Sequence, residues 1–288
     1  LGHANGREFE RLVAALEGAD GAVSFASGMA AMSATLAAHL SAGDRVLVAE
    51  EIYGGTSAFS LHDLVRFGVT VDRFSSLDVG TLRRALERPA KLVVFESPVN
   101  PTLRVADIGA IVALSRDAGA RTVFDGTFCP PPIQRVLDLG CDLVVHSASK
   151  FFGGHSDVLA GVVAGPHELL EPIEQYRRRT GGVLAPDPAW LLLRSWPTLP
   201  LRIAAQQANA LAVAEGLREE VAAGRLVAVT YPGLPDHPDR ALVERLEGGA
   251  ELRLHHPVPR EVAVEFDEPW EGNASGYATV FQDGDVYR

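Results

Sequence analysis

The chain has 288 residues, 47% of them apolar and 22% charged, a composition that suits a soluble globular protein able to bury a large core. Its formal net charge of -11 argues against a nucleic-acid partner, which needs clustered Lys and Arg; the run Arg177-Arg178-Arg179 is too short to change that. No apolar stretch reaches the roughly 18–20 residues that span a bilayer, and the opening Leu-Gly-His-Ala-Asn is no secretory signal. We therefore expect a cytoplasmic protein without a membrane segment, built as one large domain (1–200) followed by a linking helix and a further region (201–288). The first residue is not Met, which leads us to expect further residues upstream.

In chain order, Phe9, Leu12, Val13 and Leu16 mark an amphipathic helix that stops at Gly18. Short β-branched runs then alternate with helical stretches. Strands are predicted at Ala22–Phe25, Arg45–Ala49, Thr70–Phe74, Lys91–Phe95, Arg121–Phe124, Asp142–His146 and Val158–Val163. Helices are predicted at Met29–His39, Ser57–Phe67, Val79–Glu87, Asp107–Ala118, Pro166–Arg179 and Pro186–Glu220, the last long enough to lead out of the sheet. This alternation predicts an α/β domain around a mostly parallel sheet. Beyond it, Val227–Thr230 reads as a strand, 231–235 as a turn, and the residues from Arg240 onward as strand-like and proline-dotted.

Two counts carry chemical information. Cys129 and Cys141 lie outside any Cys-x-x-Cys or metal-ligand spacing and read as reduced thiols. Of the 26 Lys and Arg residues only Lys91 and Lys150 are lysines, and arginine cannot replace lysine as an imine-forming amine. Lys91 opens a strand and reads as a surface residue.

Ligands of open α/β sheets bind beyond the carboxyl ends of the strands, and several of those ends here carry unusual residues. Strand Ala22–Phe25 runs into Ser27, Gly28 and Met29, where a capped helix start with exposed amides makes an anion site. Tyr53 follows the second strand and can stack on a flat heteroaromatic ring. Asn100 is presented between Pro98 and Pro101. Asp125 ends an apolar run, where desolvation calls for a cationic partner such as a protonated pyridine nitrogen. Ser147 and Ser149 alternate just before Lys150, hydroxyls for a phosphate beside a partly desolvated amine. Each feature has an ordinary structural explanation alone: a helix cap, a turn Asp, a packed aromatic. Together at five strand ends they describe one pocket.

These residues fall in segments similar to the landmarks of one family: Phe-Ala-Ser-Gly-Met-Ala-Ala (25–31), Tyr-Gly-Gly-Thr (53–56), Glu-Ser-Pro-Val-Asn-Pro-Thr (96–102) and Asp-Gly-Thr-Phe-Cys-Pro-Pro (125–131). The most specific is His-Ser-Ala-Ser-Lys-Phe-Phe-Gly-Gly-His-Ser-Asp-Val (146–158). The chain resembles the trans-sulfuration group of pyridoxal-phosphate enzymes, that is cystathionine γ-synthase, cystathionine γ- and β-lyases, methionine γ-lyase and the homoserine-ester sulfhydrylases. The resemblance implies a type I transferase fold and a homo-oligomer, dimer or tetramer, acting on an amino-acid substrate. It implies pyridoxal 5'-phosphate held as a Schiff base on Lys150, with its ring nitrogen on Asp125 and its ring under Tyr53. The phosphate would lie on the Gly28 and Met29 amides with Ser27, Ser147 and Ser149, and Asn100 near the phenolic oxygen. Lys150 would be the base at the substrate's Cα, and Tyr53 a stacking group or a carrier of the leaving group's proton. His155 and Asp157 would shape the turn after Lys150.

The sequence departs from the family in three places. It lacks the Tyr-x-Arg pair that reaches a neighbouring subunit's phosphate site. Gly126 stands for the usual Asn, and Ser149 for a common Thr. No Arg for the substrate carboxylate can be placed in the C-terminal region. From residue 252 the chain is weakly similar to the opening blade of a sugar-active β-propeller, with a diverged small domain as the alternative. A rival expectation is therefore a catalytically incomplete fragment or chimera that folds around the cofactor. A nicotinamide enzyme is disfavoured because no Gly-x-Gly-x-x-Gly follows the first strand.

Overall fold

The computed structural model describes residues 2–249 and the short strands Gln282–Asp283 and Val286–Tyr287. The propeller-like stretch from residue 252 therefore lies outside the described residues, apart from those two strands. The chain forms two compact units, Leu1–Leu199 and Pro200–Arg288.

In the first unit, α1 (Ala4–Glu17) starts at His3, whose Nδ1 accepts the Gly6 N–H, and ends at Gly18 with φ 69°. Then come β1 (Gly21–Phe25), α2 (Gly28–His39), β2 (Arg45–Ala49), α3 (Gly54–Ala58), a π-helical segment Phe59–Leu64, and β3 (Thr70–Phe74). The sequence predicted one helix over Ser57–Phe67; the observed helix begins three residues earlier and widens to π geometry. After them lie α4 (Val79–Ala85), β4 (Leu92–Glu96), α5 (Ile108–Asp117), β5 (Arg121–Asp125), β6 (Leu143–His146), β7 (Gly161–Gly165), α6 (His167–Thr180) and α7 (Pro186–Ser195).

The seven strands form one sheet in the order β1-β7-β6-β5-β4-β2-β3, parallel except that β7 runs against both neighbours. That is the predicted α/β architecture with a mostly parallel sheet. β7 is apolar throughout, and β4 is apolar up to its last residue, Glu96, as strands covered on both faces tend to be. Because β7 alone is reversed, the carboxyl ends of β1 to β6 share one edge. The site residues all follow those ends.

Three boundaries differ from the sequence reading with consequences for that edge. The fourth strand ends at Glu96 rather than Phe95, so Glu96 stays in register with Asp125 of β5. The fifth includes Asp125 itself. The seventh starts at Gly161, because Ala160 is tied to Ser149 by its N–H (2.9 Å to Oγ) instead of to a strand.

Beneath the edge, Phe152 is 2% exposed and packs edge-on against Phe9 (6.4 Å between centroids) and His146 (5.1 Å), with Trp196 at 5.4 Å. Rings packed this way add directional preference to a large buried area. They tie the turn carrying Lys150 to α1 and to the end of α7. A buried pair, His146 Nε2 with Glu17 Oε1 at 2.5 Å, joins α1 to the last residue of β6.

The predicted helix Pro186–Glu220 is broken. A 3-10 turn at Trp196–Thr198 separates α7 from α8 (Leu199–Ala222), because Pro197 has no N–H for a continuous helix. In the second unit Val227–Thr230 is not a strand. The turn at 231–235 is present, and α9 (Arg240–Gly249) is a helix where strand-like structure was expected. Among the described residues no helix is long and apolar enough to cross a membrane.

Candidate active site

The helix start after β1 is built as its sequence suggests. Ser27 adopts an extended backbone, and its Oγ accepts the Ala30 N–H at 3.1 Å, which turns the chain into α2. The first N–H groups of a helix have no carbonyl behind them, so those of Gly28 and Met29 are left for a ligand. Gly28 is required here by close approach: a Cβ on it would lie 2.7 Å from Ser147 Cβ and 2.9 Å from Ser147 Cα. The helix start and the first hydroxyl of the lysine turn are thereby in contact.

A single threonine locks the lysine turn to Asp125. Thr127 donates its N–H to Asp125 Oδ1 at 3.0 Å, and its Oγ1 accepts the Ser147 N–H at 2.8 Å. Gly126 between them donates to Val145 O at 2.8 Å, and a Cβ there would lie 2.5 Å from His146. A side chain at position 126 is thus incompatible with the buried His146 of this chain. Burial raises the pKa of Asp125, and the hydrogen bonds of Thr127 and the charge of His146 only partly oppose it. The carboxylate is short of positive charge.

Tyr53 and Asn100 approach from the other side. Tyr53 is 49% exposed, with its ring against Gly55, where a Cβ would lie 2.6 Å from Cε1 and 3.0 Å from Met29 Sδ. Its exit loop from β2 is braced twice. Glu51 accepts from the Ser75 hydroxyl (2.5 Å) and from the Ser76 N–H (2.8 Å), and Arg73 donates to the carbonyls of Ala49 and Glu50. Asn100 is exposed.

Two expected features are placed differently. Ser149 Oγ donates to Ala160 O (3.3 Å) while accepting the Ala160 N–H (2.9 Å). A hydroxyl has one proton, so Ser149 as it stands offers a phosphate only a lone pair. Lys150 is exposed, and its Nζ has no hydrogen bond or ion pair among the described residues; the partial desolvation expected of it is not supplied by these residues. Lys91 is at the opposite edge of the sheet, paired with Asp44 at 2.8 Å. His155 contacts Gly153 O (2.7 Å) and Ser195 Oγ (3.3 Å), which fastens the loop after Lys150 to α7. Asp157 is exposed.

The sequence reading missed two residues. Thr127 had half a signal, since Asp125 can accept the backbone N–H two residues on, but its hydroxyl's bond to Ser147 spans 20 residues. Glu96 had none: it is 4% exposed, and its oxygens accept the N–H groups of Tyr53 and Asn100, each at 2.9 Å. Burial pushes its pKa up to about 7, and the charge of Asp125 adds to the rise against the two N–H groups. No cluster of His, Cys, Asp and Glu among the described residues could hold a metal.

The arrangement suits a flat, doubly functional cofactor: an anion against the α2 start and Ser147, a cationic ring nitrogen against Asp125, an aromatic face against Tyr53. Comparison with known proteins agrees. Residues 2–254 match the model of the Cys/Met metabolism PLP-dependent enzyme family. The chain is 39% identical over 238 residues to L-methionine gamma-lyase of Pseudomonas putida, covering 82% of this chain and 59% of that protein. It is 40% identical over 256 residues to cystathionine beta-lyase of Bacillus subtilis, covering 88% and 65%. To O-succinylhomoserine sulfhydrylase of Pseudomonas aeruginosa it is 39% identical over 243 residues, covering 84% and 60%. The chain thus spans less than two thirds of the length of these relatives. It belongs to the Cys/Met metabolism family of enzymes that depend on pyridoxal phosphate.

Proposed function

We propose that this chain is the cofactor-holding part of a carbon–sulfur lyase or transferase acting on sulfur amino acids or homoserine esters. One observation carries the reading: Thr127 binds Asp125 with its N–H and the Ser147 N–H with its hydroxyl, so a carboxylate short of positive charge and the lysine turn form one unit. The relatives' names supply the substrate class.

In this reading Asp125 holds the pyridine nitrogen, Tyr53 covers the ring, and Asn100 lies near the phenolic oxygen. Ser27, Gly28, Met29 and Ser147 hold the phosphate, with Ser149 joining once its hydroxyl turns from Ala160. When bound, pyridoxal phosphate supplies the electron sink that makes the substrate's Cα proton removable. Lys150 Nζ holds the cofactor covalently and, when free of it, takes that proton. Tyr53 carries the leaving group's proton or serves as the stacking surface alone. The large domain ends near residue 200. Two free cysteines, Cys129 and Cys141, support a cytoplasmic setting, and the dimer or tetramer is carried by the family resemblance alone.

A second reading, a piece that binds cofactor without turnover, is favoured by the exposed Lys150 and by the chain's span of 59–65% of its relatives. Turnover separates the two. With pyridoxal phosphate, the wild-type chain is expected to release product from cystathionine or O-succinylhomoserine, and Lys150→Ala is expected to release none. Equal rates in both proteins would refute the role of Lys150, and a wild type that takes up cofactor without product would establish the second reading.

A further inference from the structure

Glu96 belongs to no role assigned so far, yet it is 4% exposed and its two oxygens reach two loops of the site. It is the last residue of β4, and its two oxygens serve different loops. Oε2 takes the N–H of Tyr53 on the loop leaving β2, and Oε1 takes the N–H of Asn100 on the loop leaving β4. The Tyr53 ring is half exposed and Asn100 is exposed, so their backbones, not their side chains, are what this chain holds fast. On the neighbouring strand Glu96 is in register with Asp125, and residues paired this way in a sheet project to the same face about 4.8 Å apart.

We propose that Glu96 is the positioning residue of the site, its carboxylate placing Tyr53 and Asn100 together and its charge coupled to whatever is bound against Asp125. The proposal rests on the roles given above to Asp125, Tyr53 and Asn100. Its chemistry follows from counting donors. An ionised carboxylate accepts both N–H groups. A protonated one carries a hydrogen of its own, and the oxygen that takes it becomes a weaker acceptor, so one loop is held less tightly. Burial and the charge of Asp125 raise the group toward the ionised–protonated boundary, and the Tyr53 and Asn100 N–H groups oppose the rise. A cation against Asp125 offsets the repulsion between the two carboxyl groups and favours the ionised, two-handed form. By linkage the reverse holds equally: setting the two loops favours the cation.

The test uses the cofactor-free 15N-labelled chain, following the backbone amide resonances of Tyr53, Asn100 and Ser147 across about pH 5 to 9. In the wild type Tyr53 and Asn100 move together with one midpoint near 7, while Ser147, bonded to the neutral Thr127 hydroxyl, does not follow them. Glu96→Gln, whose amide keeps one acceptor oxygen and two N–H donors at every pH, abolishes the shared transition. Asp125→Asn keeps the transition but moves its midpoint to lower pH. Different midpoints for the two amides, or a shared one that survives in Glu96→Gln, overturn the proposal; so does an unmoved midpoint in Asp125→Asn. An intact Ser147 resonance certifies the fold of each variant, and if Glu96→Gln does not fold, the Asp125→Asn arm decides. In the loaded protein, Glu96→Gln weakens cofactor binding about tenfold, the scale of one charge-assisted hydrogen bond, and unchanged affinity would contradict the coupling. None of the amide readouts involves cofactor, so failure of the clamp is distinct from failure of Lys150 to carry the cofactor.

Discussion

The two sides of the site are held by different kinds of interaction. The side at β1 and β6 is assembled mainly from neutral groups, the Ser27 cap, the contact of Gly28 with Ser147, the Thr127 hydroxyl on the Ser147 N–H and the aromatic cluster around Phe152, above the buried His146–Glu17 pair. The side at β2, β4 and β5 is held by two carboxyl groups in register, Glu96 and Asp125, both driven toward protonation by burial. The first side is set before any ligand arrives. The second carries an electrostatic cost that a bound cation relieves. Preorganised packing where an anion is to sit, and unbalanced negative charge where a cationic ring is to sit, is the division of labour that the chemistry of the family's cofactor requires.

The sharpest way to break the neutral side is Phe152→Ala. Removing a ring that is 2% exposed and packed on Phe9, His146 and Trp196 should cost about 3–5 kcal/mol of stability, measured by urea unfolding. A loss below about 1 kcal/mol would mean that the cluster does not anchor the lysine turn.

The charged side should reveal itself next, through pH. Glu96 binds a proton in the folded chain up to about 7, whereas its ordinary value is 4.5. Between those values the folded state holds the proton and the unfolded chain does not, so stability falls as pH rises through that window. The full effect is about 3 kcal/mol at 1.36 kcal/mol per unit. The raised pKa of Asp125 acts in the same direction. Unfolding of the cofactor-free wild type and of Glu96→Gln, compared at pH values on either side of the window, isolates the Glu96 share. The difference in stability between the two proteins should change across the window by about that amount. A difference independent of pH would place the titration elsewhere.

Smaller again is Thr127→Val, which keeps the Thr127 N–H on Asp125 but removes the hydroxyl that serves both Asp125 and the Ser147 N–H. A loss of about 1–2 kcal/mol is expected, with weaker cofactor binding in spectroscopic titration. If stability falls but cofactor affinity does not, Thr127 supports the fold without aligning the two halves.

The neutral side was largely legible in the sequence and the charged side only in part. Ser27 before Gly28 is a local signal, because a cap and its helix are neighbours in the chain. So is Asp125 after an apolar run, and so is the scarcity of lysine that singled out Lys150. Glu96 gave no such signal. Its partners Tyr53 and Asn100 are recognised only once β4 is known to extend one residue further and to lie between β2 and β5. Solvent cover is equally non-local, which is why Lys150 was expected to be partly desolvated and is exposed. The Ser149 proton is taken by Ala160, eleven residues on, a pairing that no run of adjacent residues announces. Pattern also misled at Val227–Thr230, which has the composition of a strand and is not one, because strand propensity depends on tertiary context. Pro197 interrupts a helical pattern that runs on at both sides, and reading across it merged two helices.

The central claim is that Lys150 carries the cofactor, and the chain's two lysines make it directly measurable. The protein is incubated with pyridoxal phosphate, reduced with borohydride, digested, and its peptides are weighed. The account predicts the pyridoxyl mass on the peptide containing Lys150, and none on that containing Lys91, which is paired with Asp44 at the far edge of the sheet. A label on Lys91, or a visible absorbance band undiminished in Lys150→Ala, would contradict it.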